Sequence, residues 1–385
     1  MKKTIKRLYK TDLFKEFFEN EKSSGLVLIA CTIVSLLLAN SAFSTDYLHT
    51  WHMKIGTESL EYWINDGLMT IFFLLIGLEL EREIYLGELS NIKEALLPIF
   101  AALGGMLVPA GIYLALNWGT VAQSGAGIPM ATDIAFALGV LSLLGNSVPL
   151  SLKVFLTALA VIDDLGAILV IAIFYTKTIF WFNLGVAAVI LLVLFILNRM
   201  KVRNLIPYLI GGVIMWYFML NSGIHATITG VLLAFVIPFG DGSEKSVSYQ
   251  LQHYLHKPVA FFILPLFALA NTAIVLGSDI AETLHLHYSK GIMLGLIAGK
   301  PLGIALFSFL AVAIGLCKLP KDLKWKTIIG VGFLGGIGFT MSIFVTLLAF
   351  DDHHIINNAK FIILLSSLTA GIIGFIALKL NLRKK

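Results

Sequence analysis

Two adjacent carboxylates, Asp163 and Asp164, lie in a stretch that otherwise reads as membrane. Between Lys153 and Lys177 no other residue is charged. Each carboxylate near a bilayer centre costs about 2.5–3.5 kcal/mol on insertion scales. Two side by side at that cost point to a use, most simply the binding of a cation or a proton. Neighbouring helix residues diverge by about 100°, so one aspartate can face a water-filled funnel while the other faces a neighbouring helix. Lys300 is the one basic residue well inside an apolar stretch. Burial and mutual attraction act in opposite senses on a buried acid or base, so either a lysine or an aspartate can hold a transported proton, and which does so stays open. Asp133 and Thr132 follow a Gly/Pro break. The threonine hydroxyl can offer oxygen to a hard cation or bond back to its own helix.

The elements that must position these groups are transmembrane helices. Of 385 residues, 58% are hydrophobic and 13% charged, and the mean hydropathy is +0.90. A soluble domain carries about 25% charged residues, so this chain cannot cover a globular surface. At about 20 apolar residues per crossing, an all-α polytopic membrane protein of about twelve transmembrane helices is expected. Its span cores lie near 24–40, 62–81, 95–116, 121–143, 152–176, 180–198, 205–220, 223–238, 257–276, 290–314, 327–349 and 359–380. Together they form a single integral membrane domain over residues 1–385. With both termini cytoplasmic, 23 Lys and Arg fall on the cytoplasmic side and 4 on the other, a positive-inside bias. The basic balance therefore reports topology, and no nucleic-acid partner is expected. Residues 11–18 suit a short helix on the cytoplasmic membrane surface or a solvated cap. Cys31 and Cys317 are expected to be free thiols. His353 and His354 follow Asp351-Asp352 in an outer loop, read as solvated in preference to a weak metal site. The outer segment of about 41–61 can turn a short hairpin around Lys54-Ile55-Gly56-Thr57.

Two spans look discontinuous. The fourth holds Gly125-Ala126-Gly127-Ile128-Pro129 just before Thr132-Asp133. The eleventh holds Gly330, Gly332, Gly335, Gly336 and Gly338 before Phe339-Thr340. Lipid tolerates freed backbone groups only where protein or a water-filled cavity satisfies them. One break in each half points to an inverted-repeat transporter, with repeats near 95–176 and 290–380 and its site between them.

Four strings, in order and each inside an expected span, carry a family resemblance. They are Ala131-Thr132-Asp133-Ile134-Ala135-Phe136-Ala137-Leu138-Gly139, Leu159-Ala160-Val161-Ile162-Asp163-Asp164-Leu165-Gly166-Ala167, Gly299-Lys300-Pro301-Leu302-Gly303 and Gly335-Gly336-Ile337-Gly338-Phe339-Thr340-Met341-Ser342. Over nearly its whole length the chain resembles the NhaA-type sodium/proton antiporters. The resemblance implies a secondary transporter, without covalent chemistry or cofactor, in the bacterial cytoplasmic (inner) membrane. It would exchange cytoplasmic Na+ or Li+ for external H+ by alternating access, electrogenically, with two protons entering for each sodium leaving, and under pH regulation. It implies Asp164 as the principal Na+ ligand and Asp163 as the second essential carboxylate, able to pair with Lys300. A structural salt bridge is the alternative for that pair. It further implies two crossing broken helices, Asp133 offsetting their positive ends and Lys300 their negative ends. Glu79, Arg82 and Glu83 share a helical face, by default a surface ion-pair set. The resemblance puts a pH-sensing cluster there, with His253 and His256 as matching groups and Asp241 and Glu244 nearby. Tyr249, Gln250 and Gln252 stand where the family often carries charge, and Glu81 where a base is common. Asp66 lines the outer route or sits at the lipid interface. His225 is a pH-responsive or a merely hydrogen-bonded residue. A homodimer joined through the 41–61 hairpin is also implied.

Other classes stay open on the residues alone. A sodium-coupled symporter would need a further solute pocket. An intramembrane aspartyl protease needs two carboxylates that face each other and share a proton, whereas helix neighbours diverge. No Gly-x-Gly-Asp string is present. A channel fits proton-coupled carboxylates less well than alternating access does.

Overall fold

The computed structural model describes residues 23–176, 178–276 and 280–382, so the expected surface helix at 11–18 lies outside the described residues. Within them, eight helices are long and apolar enough to cross a membrane, or up to ten if each of two bent pairs is one span. The chain is an all-α polytopic membrane protein with one small exception. Lys54–Ile55 and Glu58–Ser59 pair as antiparallel strands, with Lys54 opposite Ser59. They follow a helix, Ser44–His52, that bends 115° from Ser23–Ala39. Trp63 Nε1 donates to the Ile55 carbonyl at 2.8 Å and ties this hairpin to the next span.

Two of the twelve expected spans fall short by length. Ile206–Leu220 has 15 residues and Ile228–Val236 has 9. At about 1.5 Å per residue neither fills a hydrocarbon core of about 30 Å. The expected span at 257–276 begins earlier, because the helix starts at Val247, where Ser246 Oγ caps the Tyr249 amide.

Both expected breaks are present. Residues Gln123–Met130 form a tight helix, the chain is extended at Ala131 and Asp133, and a new helix runs Ile134–Ser142. In the second broken span, Trp325–Gly335 and Phe339–Ala349 meet at 48°. Proline shapes two further spans. Wide helical turns at Gly295–Gly299 and Val259–Ile263 end two residues before Pro301 and Pro265. A proline ring clashes with the carbonyl four residues back and donates no hydrogen bond, and a widened turn relieves both.

The lysine-bearing helix, Lys300–Ala313, packs along Ile92–Asn117 through small residues. A Cβ at Gly303 would overlap the Gly104 carbonyl, and one at Gly104 would overlap the Gly303 carbonyl. One at Gly299 would lie 3.0 Å from Pro109 Cα. The backbones approach closely because neither side offers a side chain there, and this fixes the position of Lys300. Replacing Gly104 with Val should destabilise the folded protein by about 1–3 kcal/mol. A lowered unfolding temperature in detergent is the expected readout, whereas an unchanged one would mean that the two helices can separate at no cost.

Candidate functional site

The aspartate pair sits in the middle of Leu150–Phe174, a continuous helix. Both residues are buried, Asp163 at 1% and Asp164 at 4% exposure, but their surroundings differ. Asp163 Oδ2 accepts from Lys300 Nζ at 2.7 Å, and Lys300 is itself 0% exposed. Asp163 Oδ1 has no hydrogen-bond partner among the described residues. No hydrogen bond or ion pair reaches the Asp164 side chain among the described residues. The divergence of neighbouring helix positions thus produces one paired and one unpaired carboxylate. An unpaired buried carboxylate is costly in its charged form, so it must carry a proton or hold a cation.

Lys300 also donates to Thr132 Oγ1 at 2.8 Å, and Thr132 Oγ1 donates to the Gly335 carbonyl at 2.8 Å. Gly335 is the last residue of Trp325–Gly335. The ammonium therefore reaches a negative helix end through a hydroxyl and not directly. Thr132 bonds neither to its own helix nor to empty space, but to the opposite broken span.

Asp133 joins the two breaks. Its Oδ1 accepts from the Phe136 amide at 3.0 Å, in the first turn of Ile134–Ser142. Its Oδ2 accepts from the Thr340 amide at 3.1 Å and from the Thr340 hydroxyl, in the first turn of Phe339–Ala349. One carboxylate thus faces two positive helix ends, each such contact contributing up to about 2 kcal/mol when partly buried. Its own amide donates to the Ile337 carbonyl at 2.7 Å. Ser342 Oγ completes the exchange by donating to the Ile128 carbonyl at 2.7 Å. Thr340 and Ser342 were not singled out from the sequence. Their hydroxyls cap nothing themselves but donate across to the other broken span, a role that no local pattern marks.

The remaining candidates lie apart from this centre. Glu79, Arg82 and Glu83 stand on Met69–Tyr85, and His253 and His256 on Val247–Pro258. The fold brings these segments together, with His256 Nδ1 3.8 Å from Glu79 Oε1. Arg82 lies 5.2 Å from the centre of the Tyr249 ring, which stacks on the exposed His253. Glu81, absent from the expected set, is buried and accepts from Ser248 Oγ at 3.4 Å. Asp241 is exposed, and hydrogen bonds from the Ser243 hydroxyl and amide hold its carboxyl below the ordinary range. It stays ionised at physiological pH and is no switch there. Asp66 is half-buried in a wide helical turn, Trp63–Leu68, beside Asn65. Asn65 and buried Asn271 exchange side-chain amide bonds, 2.7 Å for the shorter. His225 Nε2 lies 2.9 Å from the Tyr175 carbonyl, just past the aspartate helix. Asp352 caps its own helix through the His354 amide at 2.7 Å. No group of three or more His, Cys, Asp or Glu suited to a metal ion occurs among the described residues. Cys31 and Cys317 are free thiols.

Comparison with known proteins bears on the whole chain. A family model described as Na+/H+ antiporter 1 matches residues 15–378. The Na(+)/H(+) antiporter NhaA of Flavobacterium psychrophilum is 74% identical over 373 residues, covering 97% of each chain. That of Cytophaga hutchinsonii is 65% identical over 374 residues, again covering 97% of each. That of Escherichia coli O1:K1 / APEC is 46% identical over 379 residues, covering 95% of this chain and 98% of its own.

The hydroxyl between Lys300 and Gly335 can be tested directly. Thr132→Val keeps the volume but leaves a buried carbonyl and one ammonium proton unsatisfied, at about 1–3 kcal/mol. The unfolding temperature should fall in Thr132→Val and return in Thr132→Ser. Equal stability of both variants would show that the relay contributes nothing.

Proposed function

The chain belongs to the Na+/H+ antiporter 1 family, and from that premise we propose that it exchanges cytoplasmic Na+ or Li+ for external H+ by alternating access. The observation that carries this reading is the contrast at the aspartate pair. Asp164 is buried without a hydrogen-bond donor, while Asp163 is neutralised by Lys300. In the inward-facing state Asp164 loses its proton to the cytoplasm, and its oxygens then take the cation. Asp163 joins as the second ligand, and a second proton is held or released within the Asp163–Lys300 pair. Thr132 stands beside them as a neutral oxygen donor. The loaded site opens outward, the cation leaves, and protons refill the carboxylates.

Coupling follows from competition, because a proton and a cation cannot occupy the same oxygens freely. Two protons entering for each Na+ leaving moves one net charge per cycle. At 100 mV that charge contributes about 2.3 kcal/mol, and the pH gradient supplies the rest. Hinge motion is placed at the two breaks, since the backbone bonds there run between spans. The segments at 79–83 and 248–256 serve as the cytoplasmic pH-responsive mouth, with Glu79, Arg82, Glu83, His253 and His256 as its members. Asp66 and His225 line the outer route.

The protein resides in the bacterial inner membrane with both termini cytoplasmic, a reading supported by the basic bias of 23 to 4. Twelve crossings are proposed, with Ile206–Leu220 and Ile228–Val236 completed by irregular chain at their ends. A homodimer forms through the 41–61 segment, whose hairpin carries few buried residues.

Internal pH in liposomes holding the purified protein tests the exchange. Pulses of Na+ and Li+, but not K+, should move protons, and Asp164→Asn should abolish the response. The apparent KM for Na+ should rise as pH falls, since protons compete for the same oxygens. Absence of cation-dependent proton movement at any pH would remove the antiport reading in favour of a solute-coupled symporter. For the dimer, deleting residues 51–59 should give monomers on detergent cross-linking with exchange retained. Dimers that persist after the deletion would rule out the hairpin as the joint.

A further inference from the structure

The C-terminal helix, His353–Leu382, carries two adjacent buried serines, Ser366 and Ser367. Ser367 Oγ accepts from the Gly338 amide at 3.2 Å and the Phe339 amide at 3.1 Å. These are the capping residue and first residue of Phe339–Ala349, the second half of the second broken span. Asp133 takes the next amide, that of Thr340. Three successive orphan amides are therefore shared between a carboxylate on one broken span and a hydroxyl on the last helix. Ser366 Oγ, one residue away, has no hydrogen-bond partner among the described residues.

We propose that Ser367 is a positioning residue for the cation site, holding the second half-helix against Asp133 and offsetting part of its end charge. The inference rests on the exchange reading above. A helix N-terminus carries roughly half an elementary charge, localised on its unsatisfied amides. Ser367 satisfies two of them, which leaves Asp133 free to serve both half-helices. Without the hydroxyl the end is more positive, and Asp133 alone must compensate. A more positive end repels Na+ and H+ alike from the aspartate pair. Na+ then binds less well, while protons compete less well, so the acid limb of activity moves to lower pH. The charged side chain that meets this helix end directly is Asp133. Of the elements packed against this half-helix, the C-terminal helix carries His353 and His354 at its start and Lys360 and Lys379 further along, while Asp163, Asp164 and Lys300 stand in the adjoining site.

The test compares the full-length wild type with Ser366→Ala, Ser367→Ala and Ser367→Thr in liposomes, titrating Na+ across pH. Ser366→Ala should match the wild type. Ser367→Ala should raise the apparent KM for Na+ by roughly three- to tenfold, the scale of a lost cap, and shift the acid limb to lower pH. Ser367→Thr should restore both. Wild-type KM and pH profile in Ser367→Ala, the same change in Ser366→Ala, or a loss of turnover alone would each overturn the proposal. If Ser367→Ala fails to reach the membrane, Ser367→Cys carries the test. An intermediate KM supports the role of the acceptor and a wild-type KM overturns it. No exchange by the wild type would instead fell the exchange reading, and this inference with it.

Discussion

A helix interrupted at membrane depth frees up to four amides and four carbonyls at the break, with no water in the hydrocarbon to receive them. The two interrupted spans of this protein answer one another. The Asp133 amide goes to the Ile337 carbonyl, the Thr132 hydroxyl to Gly335 and the Ser342 hydroxyl to Ile128. The Asp133 carboxylate then takes amides from the starts of both second half-helices. Neither break is satisfied within its own segment alone, so the two are folded as one unit. Displacing either half-helix breaks bonds in the other, which is the physical basis for a coupled motion.

The proposed cation site is an extension of the same bonding. Lys300 joins the capping network through Thr132 and at the same time neutralises Asp163. A buried ion pair with one partner removed costs about 3–5 kcal/mol, so any step that draws Asp163 towards a cation must also relieve Lys300. In the proposed exchange, cation uptake by the aspartate and proton release from the Asp163–Lys300 pair are thereby tied energetically. Asp164 stands outside this network, which leaves its oxygens available. The close helix packing through Gly303 and Gly104 holds the lysine on the correct side.

The 79–83 segment meets 248–256 through aromatic and hydroxyl groups as well as charged ones. Buried Glu81 meets a serine and not a base. Arg82 is held by the Tyr249 ring, a cation–π contact. His256 Nδ1 and Glu79 Oε1, both on half-buried side chains, lie 3.8 Å apart across the same contact.

The sequence alone determined the membrane class, the two breaks and the identity of the intramembrane charges. Each is written in local composition: apolar runs of spanning length, Gly and Pro where backbone bonds fail, and carboxylates where lipid would exclude them. It also marked Asp133, Thr132, Lys300 and the aspartate pair by type. Which aspartate is paired came from the family resemblance and not from the residues themselves, because adjacent positions on one helix differ by direction, and direction has meaning only once Lys300 is placed from a segment 137 residues away. Direction also decides for Ser367, one of two neighbouring serines in an apolar helix, whose hydroxyl alone reaches the broken span. The length of Ile206–Leu220 and Ile228–Val236, and the burial of Glu81, were likewise decided by packing. Local pattern specifies what each segment must bury or cap. Only tertiary contact specifies which partner does it, because the hydrogen bonds that complete this site join residues more than a hundred positions apart.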